Sequence, residues 1–179
     1  MLNVKWREAE EKQDAQALAA FVCGIPAPPS RRPPQWEREV ERYFRLGEVW
    51  EDLKTSKYSG QRFLIAEDSE GIAAAFTHAR LVSNDQALMS PAGEARRMLM
   101  MLGIAARTRQ QGHRFGNQVL EEALYDILDS EPDSSCVHVW GKVRPKNLPS
   151  QRMLKRAGFE ERDVPSLGNF THWYLVLER

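Results

Sequence analysis

The chain has 179 residues, 42% of them hydrophobic, 28% charged and 9% aromatic, and its 25 basic side chains balance its 25 acidic ones. That length supports one good core and argues against two ordinary domains. The zero net charge supplies no global basic field for nucleic acid, leaving only a local patch, and no apolar run reaches the roughly 18 residues of a membrane span. Cys23 and Cys136 lack the spacing of a disulfide framework or a metal site. The acidic stretch at residues 8–11 directly follows Met1 to Arg7, unlike a secretory signal. The expected setting is cytoplasmic and reduced, with no metal and no membrane.

Leu2, Val4 and Trp6 alternate with Asn3, Lys5 and Arg7, a period of two that predicts a short strand. From Gln13 the apolar positions Ala15, Leu18, Ala19 and Val22 fall at helical spacing, and Gly24 with Pro26 ends that helix. Ile25 to Pro34 carries five prolines and reads as an extended loop. A second helix follows, with Trp36, Val40, Tyr43 and Phe44 on one face and Glu37, Arg38, Glu41 and Arg42 on the other; Gly47 interrupts it before Val49, Trp50 and Leu53. Arg62 to Ala66, the turn at residues 67–71 and the run Ile72 to Val82 predict a hairpin. Ser83 to Glu94 reads as a loop. Arg97 to Ala106 is a nearly unbroken apolar run, as in a strand buried on both faces. After a basic loop, Val119, Leu120, Ala123, Leu124 and Ile127 mark a helix, Cys136 to Val143 a strand, Ser150 to Arg156 a short helix and Phe170 to Leu177 a last strand. The pattern is a mixed α/β domain around one sheet.

The basic loop Arg107-Thr-Arg-Gln-Gln-Gly-His-Arg-Phe-Gly116 joins the buried strand to its helix. A helix start offers unpaired N–H groups and the positive end of the helix dipole, so phosphate suits it. Gly112 and Gly116 allow close backbone approach, and Arg107, Arg109 and Arg114 add charge. An ordinary connection with solvated arginines gives the same pattern.

The segment Asn147-Leu-Pro-Ser-Gln-Arg-Met-Leu-Lys-Arg-Ala-Gly-Phe159 resembles motif B of the GNAT acetyltransferases: an Asn after the fifth strand, a small residue three positions on, a short helix, then Gly-Phe. The preceding strand, loop and helix resemble motif A, R/Q-x-x-G-x-G/A, in two registers. One reads Arg109, Gly112 and Arg114, with Arg114 where a small residue is usual; the other reads Gln111, Arg114 and Gly116 and suits the helix start better. The resemblance covers nearly the whole chain. It implies the GNAT fold, α/β with a largely antiparallel central sheet splayed at the cofactor site and flanked by helices, in a single domain over residues 1–179. It also implies acetyl-CoA as donor to a primary amine on a small molecule or protein. The pantetheine arm would pair with the strand at Leu102, Gly103, Ile104 and Ala105. The pyrophosphate would sit on Gln111, Gly112, His113, Arg114, Phe115, Gly116 and Asn117, beside Arg109, with Asn147 and Ser150 close by. A homodimer is a further expectation.

Direct acyl transfer needs a neutral amine, a polarised carbonyl and a proton for the leaving thiolate. In many GNAT enzymes a tyrosine four residues before the motif B glycine gives that proton; here Leu154 stands there. A thiol of pKa about 8.5 is a tolerable leaving group without it. The catalytic candidates are His78, His138 and Asn147; His172 and Tyr174 could border the acceptor cleft, and Trp36, Tyr43 and Trp50 could wall it, although packing is the simpler reading of each aromatic and a hydrogen-bonded core or rim position that of each strand histidine. Two alternatives stand beside the enzyme: an acyl-CoA sensor or scaffold without turnover, and a toxin-like GNAT acting on aminoacyl-tRNA, which Phe21-Val-Cys-Gly24 faintly resembles.

Overall fold

A computed structural model describes residues 3–24, 32–81, 94–110, 115–164 and 169–179. In chain order the elements are β1 (Lys5–Glu8), α1 (Glu11–Ala19), α2 (Gln35–Arg45), α3 (Glu48–Lys54), β2 (Arg62–Asp68), β3 (Gly71–Arg80), β4 (Ala95–Ile104), α4 (Ala106–Gln110), α5 (Phe115–Asp129), β5 (Cys136–Val143), α6 (Leu148–Arg156), β6 (Glu160–Arg162) and β7 (Thr171–Glu178). The strands form one seven-stranded sheet in the order β1-β2-β3-β4-β5-β7-β6. Every neighbouring pair is antiparallel except β4 and β5.

Alternation along β2 sorts the core into two layers. Leu64 and Ala66 face the layer that holds Phe115, Val119, Leu120, Ala123 and Ile127 of α5 and Leu154 of α6. Phe63 and Ile65 face the layer built from Leu18 of α1, Val40, Tyr43 and Phe44 of α2, and Val49 and Trp50 of α3. Burying a side chain such as Phe44 contributes about 2 kcal/mol through the hydrophobic effect. Gly47, with φ of 77°, makes the left-handed step that separates α2 from α3. On β4, Gly103 lets α2 approach the strand. A Cβ there would stand 2.7 Å from Val40 Cγ1 and 3.1 Å from both Phe21 and Phe44.

The parallel pairing runs from Ala95 opposite Val137 to Leu99 opposite Gly141, and there it stops. β4 continues beside β3 to Ile104, and β5 continues beside β7 to Val143. The register between β3 and β4 shifts at this point: Thr77 faces Met101 and His78 faces Leu99, so Met100 is an extra residue in a β-bulge. The two strands therefore part from Met100 onward.

Beneath α5 lies a polar cluster. His78 on β3 is fully buried, its Nε2 2.7 Å from Asp126 Oδ2 of α5. Arg97 Nη1 lies 3.3 Å from His78 Nδ1, so the network assigns the neutral Nε2–H tautomer, and burial, the largest influence, lowers the imidazole pKa. Arg62 also donates two hydrogen bonds to Asp126. Arg97 and Arg80 share Glu131 at 2.7 and 2.8 Å, just past the end of the same helix.

Three local expectations change. The connection after β4 begins as a helical turn, α4, because Thr108 and Arg109 N–H groups both donate to the Ala105 carbonyl. β6 has no apolar periodicity, its three residues Glu-Glu-Arg being exposed at the sheet edge. Glu37, expected on the outer face of its helix, is buried in an ion pair with Arg109. The run from Ser83 to Gly93 lies outside the described residues.

Gly103→Ala should destabilise the fold by about 1–3 kcal/mol through overpacking, seen as a lower urea midpoint at unchanged m-value. Asp126 generates a pH dependence. Burial opposes its charge, but the hydrogen bonds from His78 and Arg62 win and hold its pKa at about 2 against an ordinary 3.8. Its stabilising contribution is thus full above that ordinary value and is lost as pH falls toward about 2. Denaturation curves taken across that window should slope for the parent protein and flatten for Asp126→Asn.

Candidate functional site

The parting of β4 and β5 opens a groove with two connected chambers. The inner one, about 300 Å³, lies between Trp36, Val40 and Tyr43 of α2, Met100 to Leu102 of β4, Gly141 to Val143 of β5 with the following Arg144, and Asn147, Ser150 and Leu154 around α6. The second, about 290 Å³, shares Trp36, Val40, Leu102, Asn147, Ser150 and Met153 with it and reaches Ile104, Arg109, Arg156, Gly116 and Asn117 at the start of α5. A third cavity of about 810 Å³ lies on the α2–α3 side and meets the first at Tyr43, Glu48, Met100, Met101 and Lys142.

The groove has a chemical polarity along its length. Beyond Leu99 the β5-facing edge of β4 has no strand partner among the described residues, so its peptide groups around Met100 and Leu102 are available to an extended ligand, whereas the Ile104 N–H is directed at the Cys23 thiol. Asn147 caps α6, its Oδ1 accepting from the Ser150 N–H at 3.4 Å. At the outer end Arg156 donates to Asn117 Oδ1 at 3.2 Å, placing a cation beside the first turn of α5, where the helix dipole is positive. α2 is tied to both lips: Glu39 pairs with Arg144 at 2.6 Å, and Glu37 with Arg109 at 2.8 Å. Arg144 also lies over the Phe170 ring, 4.1 Å from its centroid.

The residues singled out from sequence fall in different places. Leu102, Ile104, Arg109, Gly116, Asn117, Asn147 and Ser150 line the groove. Gly103 is covered by α2, and Ala105 is buried, its N–H donating to the Ala73 carbonyl at 2.8 Å. The Phe115 side chain belongs to the core, which leaves only its backbone to a ligand. Arg109 is occupied by Glu37 and by the Cys23 carbonyl, and Arg107 by Asp68 and Glu70 of the β2–β3 turn, so neither is a spare charge for phosphate. Gln111, Gly112, His113 and Arg114 lie outside the described residues.

The histidine candidates need correction. His78 points under α5 with no exposed surface, and the strand's alternation puts it on the face that α5 covers. His138 lies near the start of β5, held between Glu94 and Tyr174, and lines none of the three cavities. His172 is buried beside Lys142, and Trp50 packs on Phe63 in the core. Leu154 is 3% exposed and forms apolar wall. What the sequence hid is Glu39, Lys142, Arg144 and Arg156: isolated charges on segments far apart in the chain, marked by no local pattern.

Tyr43 stands where the inner chamber and the third cavity meet. Its hydroxyl lies 3.2 Å from Asp52 Oδ2 and accepts from Gln61 Nε2 at 3.2 Å. Burial first, and the Asp52 charge second, push this phenol well above its ordinary pKa. It therefore stays a neutral hydroxyl through the neutral range.

No protein-family model matches the sequence, and no curated protein matches it. Solved structures do. A protein of the GNAT family from Desulfovibrio desulfuricans is 19% identical, with 98% of this chain and 99% of that one covered at a TM-score of 0.61. The fold is that of the GNAT acetyltransferases. The PaiA N-acetyltransferase of Thermoplasma acidophilum, in complex with coenzyme A, is 12% identical over 97% and 98% of the two chains, TM-score 0.63. A mutant of the AtaT toxin, bound to the C-terminus of the antitoxin AtaR and acetyl-CoA, is also 12% identical over 98% and 94%, TM-score 0.65. At these identities the likeness is one of GNAT architecture: the mixed sheet, its splayed parallel pair and its flanking helices.

Removing the α6 cap tests the local geometry. Asn147→Ala should cost about 1 kcal/mol of folding stability in chemical denaturation, with Asn147→Ser recovering most of it.

Proposed function

We propose that the chain is an acyl-CoA-dependent N-acyltransferase that moves an acetyl group from acetyl-CoA to a primary amine of a small molecule or protein by direct attack. The observation that carries this is the free edge of β4 beyond Leu99, opening into a groove that runs from Tyr43 to the start of α5. Acetyl-CoA supplies the activated acetyl thioester. The donors and acceptors of the β4 edge from Met100 to Leu102 suit the amides of a pantetheine arm. Asn147 and Ser150 line the same stretch, and Arg156 with the first turn of α5 suits phosphate. The acceptor amine takes the third cavity, which meets the groove at the bulge.

Proton traffic falls to Tyr43. As the amine attacks, its surplus proton passes to the phenol oxygen while the phenol proton passes to the departing sulfur, so Tyr43 ends neutral and coenzyme A leaves as the thiol; Asp52 and Gln61 hold the hydroxyl at the junction of the two cavities. Thermal denaturation with millimolar acetyl-CoA should raise the melting temperature; no shift would overturn the proposal. Thiol release across a panel of amines, with charged tRNA included, then identifies the acceptor class. Tyr43→Phe should lower turnover about 100-fold with acetyl-CoA affinity unchanged. Full turnover by that variant removes Tyr43 from the chemistry.

A second reading is favoured by one observation, the apolar Leu154 in the groove wall where the resemblance places a tyrosine. On that reading the protein binds acyl-CoA as a sensor or scaffold. Stabilisation by acetyl-CoA without thiol release from any amine in the panel would decide for it.

A further inference from the structure

At the other end of the parallel pair, three side chains with metal-binding atoms converge outside the groove. The register of Ala95 opposite Val137 places Glu94 beside Cys136 and Arg96 beside His138. Val137 and Val139 face the α5 layer, so Cys136 and His138 share the opposite face with Glu94. A Glu94 carboxylate oxygen touches His138 Nε2, and Cys136 Sγ lies 3.9 Å from the same nitrogen. One carboxylate oxygen, the thiol sulfur and the imidazole nitrogen all lie within 4.8 Å of one another.

We propose that Glu94, Cys136 Sγ and His138 Nε2 form a three-ligand site for a divalent ion of the zinc class. A thiolate, an imidazole and a carboxylate together match the borderline-soft preference of zinc. Tetrahedral zinc with ordinary bond lengths sets its ligand atoms roughly 3.4–3.6 Å apart. The sulfur–nitrogen separation of 3.9 Å needs only a small closing, while the carboxylate must swing outward. The other imidazole nitrogen is already directed: His138 Nδ1 lies 2.5 Å from the Tyr174 hydroxyl. An oxygen partner at Nδ1 fixes the ring and leaves Nε2 as the ligand, the usual outer-shell arrangement of a metal-bound histidine. Tyr174 is itself held, with Trp140 packed on its ring at 4.9 Å and Arg162 on it at 5.1 Å.

The approach is open enough for an ion. The Glu94 side chain is 30% exposed while that of His138 is 7%. Binding replaces the Cys136 thiol proton, which passes to solvent, and leaves a fourth position for water. Cys136 precedes Gly141 by five positions on β5, about 16 Å along an extended strand, so the site is separate from the groove.

Cobalt(II) titrated into the reduced full chain should give a thiolate-to-metal charge-transfer band in the near ultraviolet that saturates at one equivalent and is displaced by zinc(II). Cys23 is the only other cysteine. Cys23→Ser should keep the band, and Cys136→Ser should lose it. His138→Ala should weaken zinc affinity at least 100-fold, measured calorimetrically. Tyr174→Phe should weaken it about 10-fold, the size expected of an outer-shell partner. Circular dichroism of each variant checks that it is folded. No band and no zinc binding by the folded parent would show a hydrogen-bonded cluster only and overturn the proposal. So would a band that survives Cys136→Ser.

Discussion

A single parallel strand pair that stops halfway sets the rest of this structure. β4 and β5 are joined by a crossover through α5, the kind of connection that parallel strands require, and they pair over five residues before separating at Leu99 and Gly141. Each strand has a stronger allegiance elsewhere, β4 to β3 through Ile104 and β5 to β7 through Val143. The extra residue at Met100 turns β4 away at the point of separation. Such a gap would collapse without supports. α2 provides one, seated on Gly103 by Val40 and tied across both lips through Glu37 and Glu39. α6 provides the other, with Leu154 and Met153 in the groove wall.

The same division explains why the buried polar groups lie where they do. His78, Asp126, Arg97, Arg62, Arg80 and Glu131 fasten α5 and the residues just after it to β2, β3 and β4 on the face away from α2. A helix whose start helps to form the groove has to be fixed in position. Hydrophobic packing by Val119, Leu120, Ala123 and Ile127 holds it to the sheet but resists sliding poorly; directional hydrogen bonds to two carboxylates, Asp126 and Glu131, set its register. The cost of burying these charges is offset only because they satisfy one another, so loss of one partner would leave others stranded. His78 belongs to this framework, which is why a histidine on a central strand is no candidate for proton transfer here.

Much of the fold was legible in the sequence because it is written in local periods. The apolar run from Arg97 to Ala106, the helical spacing through Val119 and Ile127, and the sequence Asn147 to Phe159 each specify one element and its neighbours. The groove's location followed from the order of those elements. Long-range charge pairing was not legible. Glu37 and Arg109 lie 72 positions apart, and Arg107 reaches Asp68 across 39, so the basic loop read as a cluster of spare charge although two of its arginines have carboxylate partners. The grouping of Cys136 and His138 with Glu94 was not legible either. Cys-x-His on a strand has no motif spacing, and the third member arrives only through the pairing of β4 with β5.

Leu154 and Tyr43 show how one substitution can redirect a mechanism proposed for this architecture. With leucine on α6, the wall beside Gly141 is apolar and offers no proton to a thiolate formed there. A side chain that passes a proton to such a thiolate would come from the opposite wall, where α2 passes over the bulge. Tyr43 occupies that wall with its hydroxyl between Asp52 and Gln61, and burial together with the Asp52 charge keeps it protonated. A side chain on this stretch of α2 faces the third cavity as well as the groove, because Tyr43, Met100 and Met101 border both. On the proposed function, departure of the thiolate and arrival of the amine would then be served from one side of the sheet, and the position of α2, fixed by its two ion pairs, would govern both.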